Sequence, residues 1–248
     1  MGSGEAVQRD RGRRFPTTLW TLVNIAGRRV PGADEALESL CAMYWFPLYG
    51  YARRTGHAPD SAEDLVQSYF TVLLEKNYLS EASCDKGRFR SFLLSSFKHF
   101  LSNQRDRELT AKRGGGQRIV PIHFGPGSAE IRFIVEPSHN ETPDKIFDRE
   151  WALVLLEQVR ELLRKEFEQK GKLELFDRLQ GCLSDVEPEV PYALVSKETG
   201  MSESAIKVTV HRIRRRFRDL VREQIAQTVV SQEDVDDEIR FLWAAVGG

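Results

Sequence analysis

Ile206, Val210, Ile213 and Phe217 recur at spacings of four, three and four, with Lys207, His211, Arg212, Arg214, Arg215 and Arg216 between them. At about 100° per residue the apolar set falls on one side of a helix and most of the cations on the other. The chemistry these side chains offer is neutralisation of negative charge. Ammonium and guanidinium groups donate to phosphate oxygens, and an ordered set of them holds a polyanion.

A second cationic stretch lies upstream. Lys86 to Arg113 carries eight Lys/Arg against two acids, Asp106 and Glu108; Ser202 to Arg222 carries seven against two, Glu203 and Asp219. The whole chain is nearly neutral, with a formal charge of −1, so the positive charge is segregated rather than general. Two basic segments on a neutral chain point to a polyanion held at two places. The end of the chain is the reverse: Ser231 to Gly248 has five acids and one arginine.

Other chemistries lack their residues. Cys41, Cys84 and Cys182 lie far apart, with no C-x-x-C pair and no histidine at ligand spacing, so a zinc site is not expected. There is no nucleophile elbow and no paired carboxylate cluster. Gly114-Gly115-Gly116 lacks the Gly-Lys-Ser/Thr ending of a phosphate-cradling loop and reads as a hinge. Neither catalysis nor a cofactor is expected. No apolar run approaches the roughly eighteen residues that cross a bilayer, and MGSGEAVQRDRGRR is followed by no hydrophobic stretch. The expected location is the cytoplasm, without membrane attachment.

The elements that must position these side chains are almost all helical by period. Thr17 to Ala26 and Ala33 to Thr55 are candidates, the second interrupted or bent near Pro47. Asp60 and Glu63 form a start signal in which Asp60 caps the next helix, expected to run to about Asn77. Its apolar side holds Ala62, Leu65, Val66, Tyr69 and Leu73, and its polar side Asp64, Gln67, Ser68 and Thr71. After a turn-like stretch, Arg88 to Thr110 buries Phe89, Phe92, Leu93, Phe97, Phe100 and Leu101. It presents Ser91, Ser95, Lys98, Ser102 and Arg105. Small hydroxyls alternating with cations let a phosphate backbone approach closely. Aromatic rings beside cations also suit unstacked bases of a single strand.

From Gly114 to about Thr142 the period lapses into a linker in which RIVPIHF and IRFIV are at most short extended pieces. Helical pattern resumes from Asp144 to about Gln169 through Ile146, Phe147, Trp151, Leu155, Leu156, Val159, Leu162 and Leu163, then from Lys172 to Leu183. A short helix from Tyr192 to Thr199, a turn at Gly200, Ser202 as N-cap and the long basic helix make a helix-turn-helix. With Ile206 inward, Ser204, Val208, His211, Arg212, Arg215 and Arg222 point outward. Val208, early in the helix, suits a thymine methyl, and Lys207 and Arg212 suit bases or phosphates. Arg214, Arg215, Arg216 and Arg218 are expected phosphate contacts. Val235, Ile239, Leu242 and Val246 mark a last amphipathic helix.

These stretches resemble the bacterial extracytoplasmic-function RNA polymerase sigma factors, in a long-tailed subgroup. DSAEDLVQSYFTVLLE is similar to their region 2.2, KGRFRSFLLSSFKHFLSNQRDR to regions 2.3 and 2.4, and YALVSKETGMSESAIKVTVHRIRRRFRDL to region 4.2. KHFLSNQRDRELTAKRGGG, TPDKIFDREWAL and REQIAQTVV are similar to the subgroup, and the likeness covers about Thr17 to Val246. The resemblance implies an all-α chain of two helical domains, a region 2 bundle and a region 4 helix-turn-helix, joined by an irregular linker and followed by a C-terminal amphipathic helix. The corresponding division is a disordered 1–14, a first domain over 15–113, a linker over 114–143, a second domain over 144–230 and an acidic extension over 231–248.

The resemblance also implies residue roles. Asp64, Leu65 and Gln67, with Ser68 and Thr71 on the same polar side, match the surface that docks on the clamp helices of the polymerase beta-prime subunit. Asp85, Lys86 and Arg88 fall where a flipped base of the minus-ten element is captured, and Lys98, His99, Ser102, Asn103 and Arg105 face the opened strand. Ser204, Lys207, Val208, His211, Arg212 and Arg215 match the helix that reads the minus-thirty-five element. Core RNA polymerase, including the flap of its beta subunit, and promoter DNA are the implied partners. An anti-sigma factor or a regulatory kinase is a candidate further one. Val208 and Thr209 stand where the family often has small polar or basic residues, so the promoter sequence does not carry over. The acidic tail is an addition, expected to be a structural cap or partner site, with folding back onto a basic face to inhibit as the alternative. A stand-alone helix-turn-helix regulator with a helical sensor domain is the competing function, although it leaves Lys86 to Arg113 unexplained.

Overall fold

Among residues 33–75, 88–111, 141–183, 191–229 and 231–247, which the computed structural model describes, every regular element is helical. The helices are α1 (Ala33–Arg54), α2 (Pro59–Glu75), α3 (Phe89–Ala111), α4 (Pro143–Gln169), α5 (Leu173–Leu179) with a 3-10 turn (Gln180–Leu183), α6 (Tyr192–Thr199), α7 (Glu203–Ala226) and α8 (Gln232–Gly247). The N-terminal segment 1–14, the candidate helix Thr17–Ala26, the Gly114–Gly116 hinge and the two extended pieces lie outside the described residues.

Local signals explain both ends of α4. Thr142 caps α4, its hydroxyl accepting from the Lys145 amide at 3.3 Å, with Pro143 at the first helical position, where a missing N–H costs nothing. Gly171, at φ 64°, closes the other end. Its amide donates to the Glu168 carbonyl and that of Lys172 to the Phe167 carbonyl, both at 2.9 Å, which satisfies two carbonyls that the helix leaves open.

Two sequence expectations are corrected. Pro47 does not interrupt α1, which runs through it. Tyr44, Leu48 and Tyr49 are fully buried on both sides, so packing holds the helix despite a proline cost of about 3 kcal/mol. Asp60 is not the cap of α2. Pro59 opens that helix and the Ala62 amide donates to the Ala58 carbonyl at 2.9 Å, leaving Asp60 in the first turn, where a carboxylate favours the positive helix end.

The core is continuous across the two halves of the chain. Tyr44, Tyr49, Tyr69, Phe89 and Phe97 from the first half and Phe147, Trp151, Leu155 and Phe176 from the second belong to one buried cluster. In the first half it is an aromatic stack, with Tyr69 edge-on to Phe97 at 5.0 Å between centroids and its hydroxyl donating to the Leu93 carbonyl at 3.1 Å. The longest helix, α4, makes its most extensive packing with α1 and also meets α7 and α8. Gly50 lies at this crossing. A Cβ there would stand 3.3 Å from Ile146 and 3.7 Å from the Glu150 side chain. Leu162, expected inside, is 37% exposed, although its helical angle lies within the buried stripe of α4.

Between α6 and α7 the chain turns at Gly200, whose φ is 69° and whose amide donates to the Ser196 carbonyl at 3.0 Å. A side chain at this position meets no atom within 4 Å, so the cost of adding one is conformational. Gly200→Ala is expected to lower stability by about 1 to 2 kcal/mol, read from the midpoint of urea unfolding. An unchanged midpoint would show that the turn relaxes to another conformation.

Candidate nucleic-acid and partner interfaces

The helix-turn-helix is built as its residue types require. Ser202 adopts extended backbone and its hydroxyl accepts from the Ala205 amide at 3.3 Å, satisfying a donor at the start of α7. In the turn, Ser196 donates to the Met201 carbonyl at 2.6 Å and Thr199 to the Val195 carbonyl at 2.7 Å. Ile206, Val210, Ile213, Phe217, Leu220, Val221 and Ile225 are buried along one side of α7. On the other side Ser204, Lys207, Val208, His211, Arg212 and Arg215 are all exposed. Val208 is 50% exposed, an apolar side chain offered to solvent amid cations.

The basic helix divides its arginines between two tasks. Arg214 donates from Nε to the Cys182 carbonyl at 2.7 Å, tying α7 to the 3-10 turn. Arg216 spans Glu166 on α4, at 2.7 Å from Nη2, and Glu223, at 2.8 Å from Nη1. Hydrogen bonding to Arg216 holds the Glu166 carboxyl below its ordinary value. Arg214 and Arg216, expected as phosphate contacts, are thus also engaged within the fold. Arg215 and Arg218 are exposed and keep that role open.

On α2, Asp64 is exposed, while Leu65, Gln67, Ser68 and Thr71 are half-exposed over buried Val66, Tyr69, Phe70 and Leu73. Thr71 donates back to the Gln67 carbonyl at 3.1 Å. Asp64, Gln67, Ser68 and Thr71 thus share the outward side, and Leu65, expected on the apolar side, is half-exposed at its margin.

The outward side of α3 is different. His99, Ser102, Asn103 and Arg105 are exposed, and Asp85 and Lys86 lie outside the described residues. The two remaining candidates are held by carboxylates from the second half of the chain. Arg88 Nε stands 3.0 Å from Glu238 of α8, and Lys98 is ion-paired with Asp144 of α4. The hydrogen bond to Asp144 raises the Lys98 pKa above its usual value.

One polar cluster was not anticipated. Arg90 is buried, its Nε 2.5 Å from Glu238 Oε1, its Nη1 2.5 Å from Asp148 Oδ1, and its Nη2 3.4 Å from Glu238 Oε2. Its guanidinium lies 3.7 Å from the Phe241 ring centroid and 5.2 Å from that of Trp151. Glu238 is wholly buried. Burial raises the Asp148 carboxyl pKa, and the nearby Arg90 charge works against that rise. A sequence signal existed. Arg90 shares a helix side with Leu94, Phe97 and Leu101, and Glu238 with Val235 and Leu242. A charge on an apolar stripe needs a buried partner.

Among the described residues no three His, Cys, Asp or Glu side chains are grouped to hold a metal ion, and no helix is long and apolar enough to cross a membrane. Cys41 is buried, and desolvation pushes its thiol up to about 12, far from a reactive thiolate. No family model, curated protein or solved structure matches the chain.

Proposed function

We propose that this chain is a promoter-specificity subunit of bacterial RNA polymerase, a sigma factor of the extracytoplasmic-function type, acting in the cytoplasm. The observation that carries the reading is the face of α7. Ser204, Lys207, Val208, His211, Arg212 and Arg215 stand together, exposed, on a helix whose opposite side is locked into the core. That is the arrangement by which a second helix enters a major groove and offers its first turns to base edges. Ordered resemblance over regions 2.2, 2.3, 2.4 and 4.2 extends the reading to the other faces.

On this proposal α2 supplies the polymerase contact through Asp64, Leu65, Gln67, Ser68 and Thr71, and α3 supplies the strand-facing surface. The two-domain division belongs to the working state, in which regions 2 and 4 address separate promoter elements and the linker spans them. No bond is made or broken by this protein. Its contribution is binding energy, which offsets the few kcal/mol, roughly, of unstacking a base.

Asp64→Lys tests the docking role. Asp64 is exposed, so the variant is expected to keep wild-type stability while losing capture of core polymerase by at least about tenfold, the effect of placing like charge in an interface. Wild-type capture by the folded variant would remove the docking assignment.

A second reading, a stand-alone helix-turn-helix regulator, draws on the occupation of Arg88 and Lys98 by internal carboxylates. It leaves the reading helix as the one nucleic-acid surface in use. Purified core polymerase decides between them: no association with the wild-type chain selects the regulator.

A further inference from the structure

The acidic C-terminal helix reaches both cationic modules at once. Toward the first half, Glu238 holds Arg88 and Arg90. Toward the basic helix, Asp236 is ion-paired with Arg222, and α8 packs against α4 and α7. Val235 and Leu242 are buried beneath it. Neighbouring contacts pull the same way. Asp144 holds Lys98, Asp148 holds Arg90, the Phe89 amide donates to the Thr228 carbonyl at 3.3 Å, and Arg54 Nε donates to the Glu141 carbonyl at 3.0 Å. Each joins the first half of the chain to the second.

The two DNA faces are treated unequally. Among the described residues, no ion pair engages Lys207, His211, Arg212 or Arg215. At and along α3, by contrast, two of the three cations at strand-facing positions with described side chains, Arg88 just before the helix and Lys98 on it, meet carboxylates, while the third, Arg105, is exposed. A carboxylate oxygen and a phosphate oxygen make the same charge-assisted hydrogen bond to a guanidinium or ammonium group. An apolar cap would need no such pairs. A buried ion pair contributes little beyond an apolar replacement of similar volume, and its best-attested use is to specify one arrangement over another.

We propose that α8, together with the start of α4, is an autoinhibitory latch. Glu238 and Asp144 occupy Arg88 and Lys98 in place of nucleic-acid phosphates, withdrawing two cations from the strand-facing surface, on which His99, Ser102, Asn103 and Arg105 stay exposed, while the reading helix α7 stays open. In the closed state the protein binds duplex through α7 and is a weak binder of single strands. Opening separates the halves and exposes α3. The proposal rests on the functional reading above for the role of α3, but its test uses DNA alone.

The experiment compares the full-length chain with Glu238→Gln/Asp144→Asn, which removes both charges and conserves volume, by fluorescence anisotropy on a mixed-sequence single-stranded oligonucleotide and on its duplex. A control, Glu233→Gln/Asp237→Asn, removes equal charge from exposed positions of α8. The latch variant is expected to bind the single strand about tenfold more tightly than wild type, the control no more than about twofold, since two freed phosphate contacts matter more than net charge. Equal gain in the control, or none in the latch variant, overturns the proposal. Should the double variant fail to fold, Asp144→Asn alone decides. Its pair with Lys98 is about half exposed, so the fold survives, and a gain of about threefold supports the latch while no gain overturns it. A single-strand gain without polymerase capture by the wild type keeps the latch and removes the sigma reading. Capture without the gain keeps the sigma reading and leaves α8 a structural cap.

Discussion

On the proposed function, Lys207→Glu/Arg212→Glu is expected to lower affinity for a cognate promoter duplex by about a hundredfold or more, with the fold untouched. Both side chains are exposed on α7, opposite buried Ile206, Val210 and Ile213, so the exchange changes no packing. A side chain on a base edge is worth about 1 to 3 kcal/mol of discrimination, and a phosphate contact contributes through release of counterions. Reversal also adds repulsion where attraction stood. The salt dependence separates the two roles. If both residues contact phosphates, the slope of log affinity against log salt becomes shallower by about two, and binding weakens for all sequences alike. If Arg212 contacts a base, discrimination between sequences falls as well. Anisotropy titrations over a salt series make the measurement, and an unchanged affinity and slope would move the reading face off α7. Arg216→Ala is the contrasting variant. Its guanidinium spans Glu166 and Glu223, so it should cost stability and little of the salt slope.

Trp151→Ala is expected to be the most damaging single core change, destabilising by about 3 to 5 kcal/mol. Trp151 is fully buried on α4, at the crossing of both halves of the chain. Truncating it leaves a cavity there and removes the ring beside the Arg90 guanidinium, loosening support for the Arg90–Glu238 pair. Against a typical domain stability of about 5 to 15 kcal/mol, that is a large share. Urea unfolding followed by circular dichroism gives the loss. A single transition, shifted as a whole, is expected from a continuous core. Loss of less than about 1 kcal/mol would mean that the crossing around Trp151 is not tightly packed.

These two experiments bear on parts of the protein that were unequally legible from residue order. The buried side of α7 was legible: period placed Ile206, Val210, Ile213 and Phe217 inward, and the cap at Ser202 and the turn at Gly200 follow from their own backbone chemistry. The bounds of α6, Tyr192–Thr199, agree for the same reason. The hold of Glu238 on Arg90 was not legible, because the two are 148 residues apart and nothing local to either names the other. The internal partners of Arg214 and Arg216 were not legible either, because helical angle says which way a side chain leaves the axis, and not which neighbour waits there. Pro47 was read as a point of interruption or bending on propensity, and of these packing on either side overruled the interruption.

By itself, the order of amino acids determined most of the described helices, most of the apolar residues that each buries and the segregation of charge into two basic segments and an acidic end, since these depend on backbone preference and on residues three or four apart. Tertiary structure alone decided which cations stay open and which are held. Ion pairing between distant segments depends on how α4 and α8 cross α3 and α7, and that geometry arises only when the apolar sides have found one another.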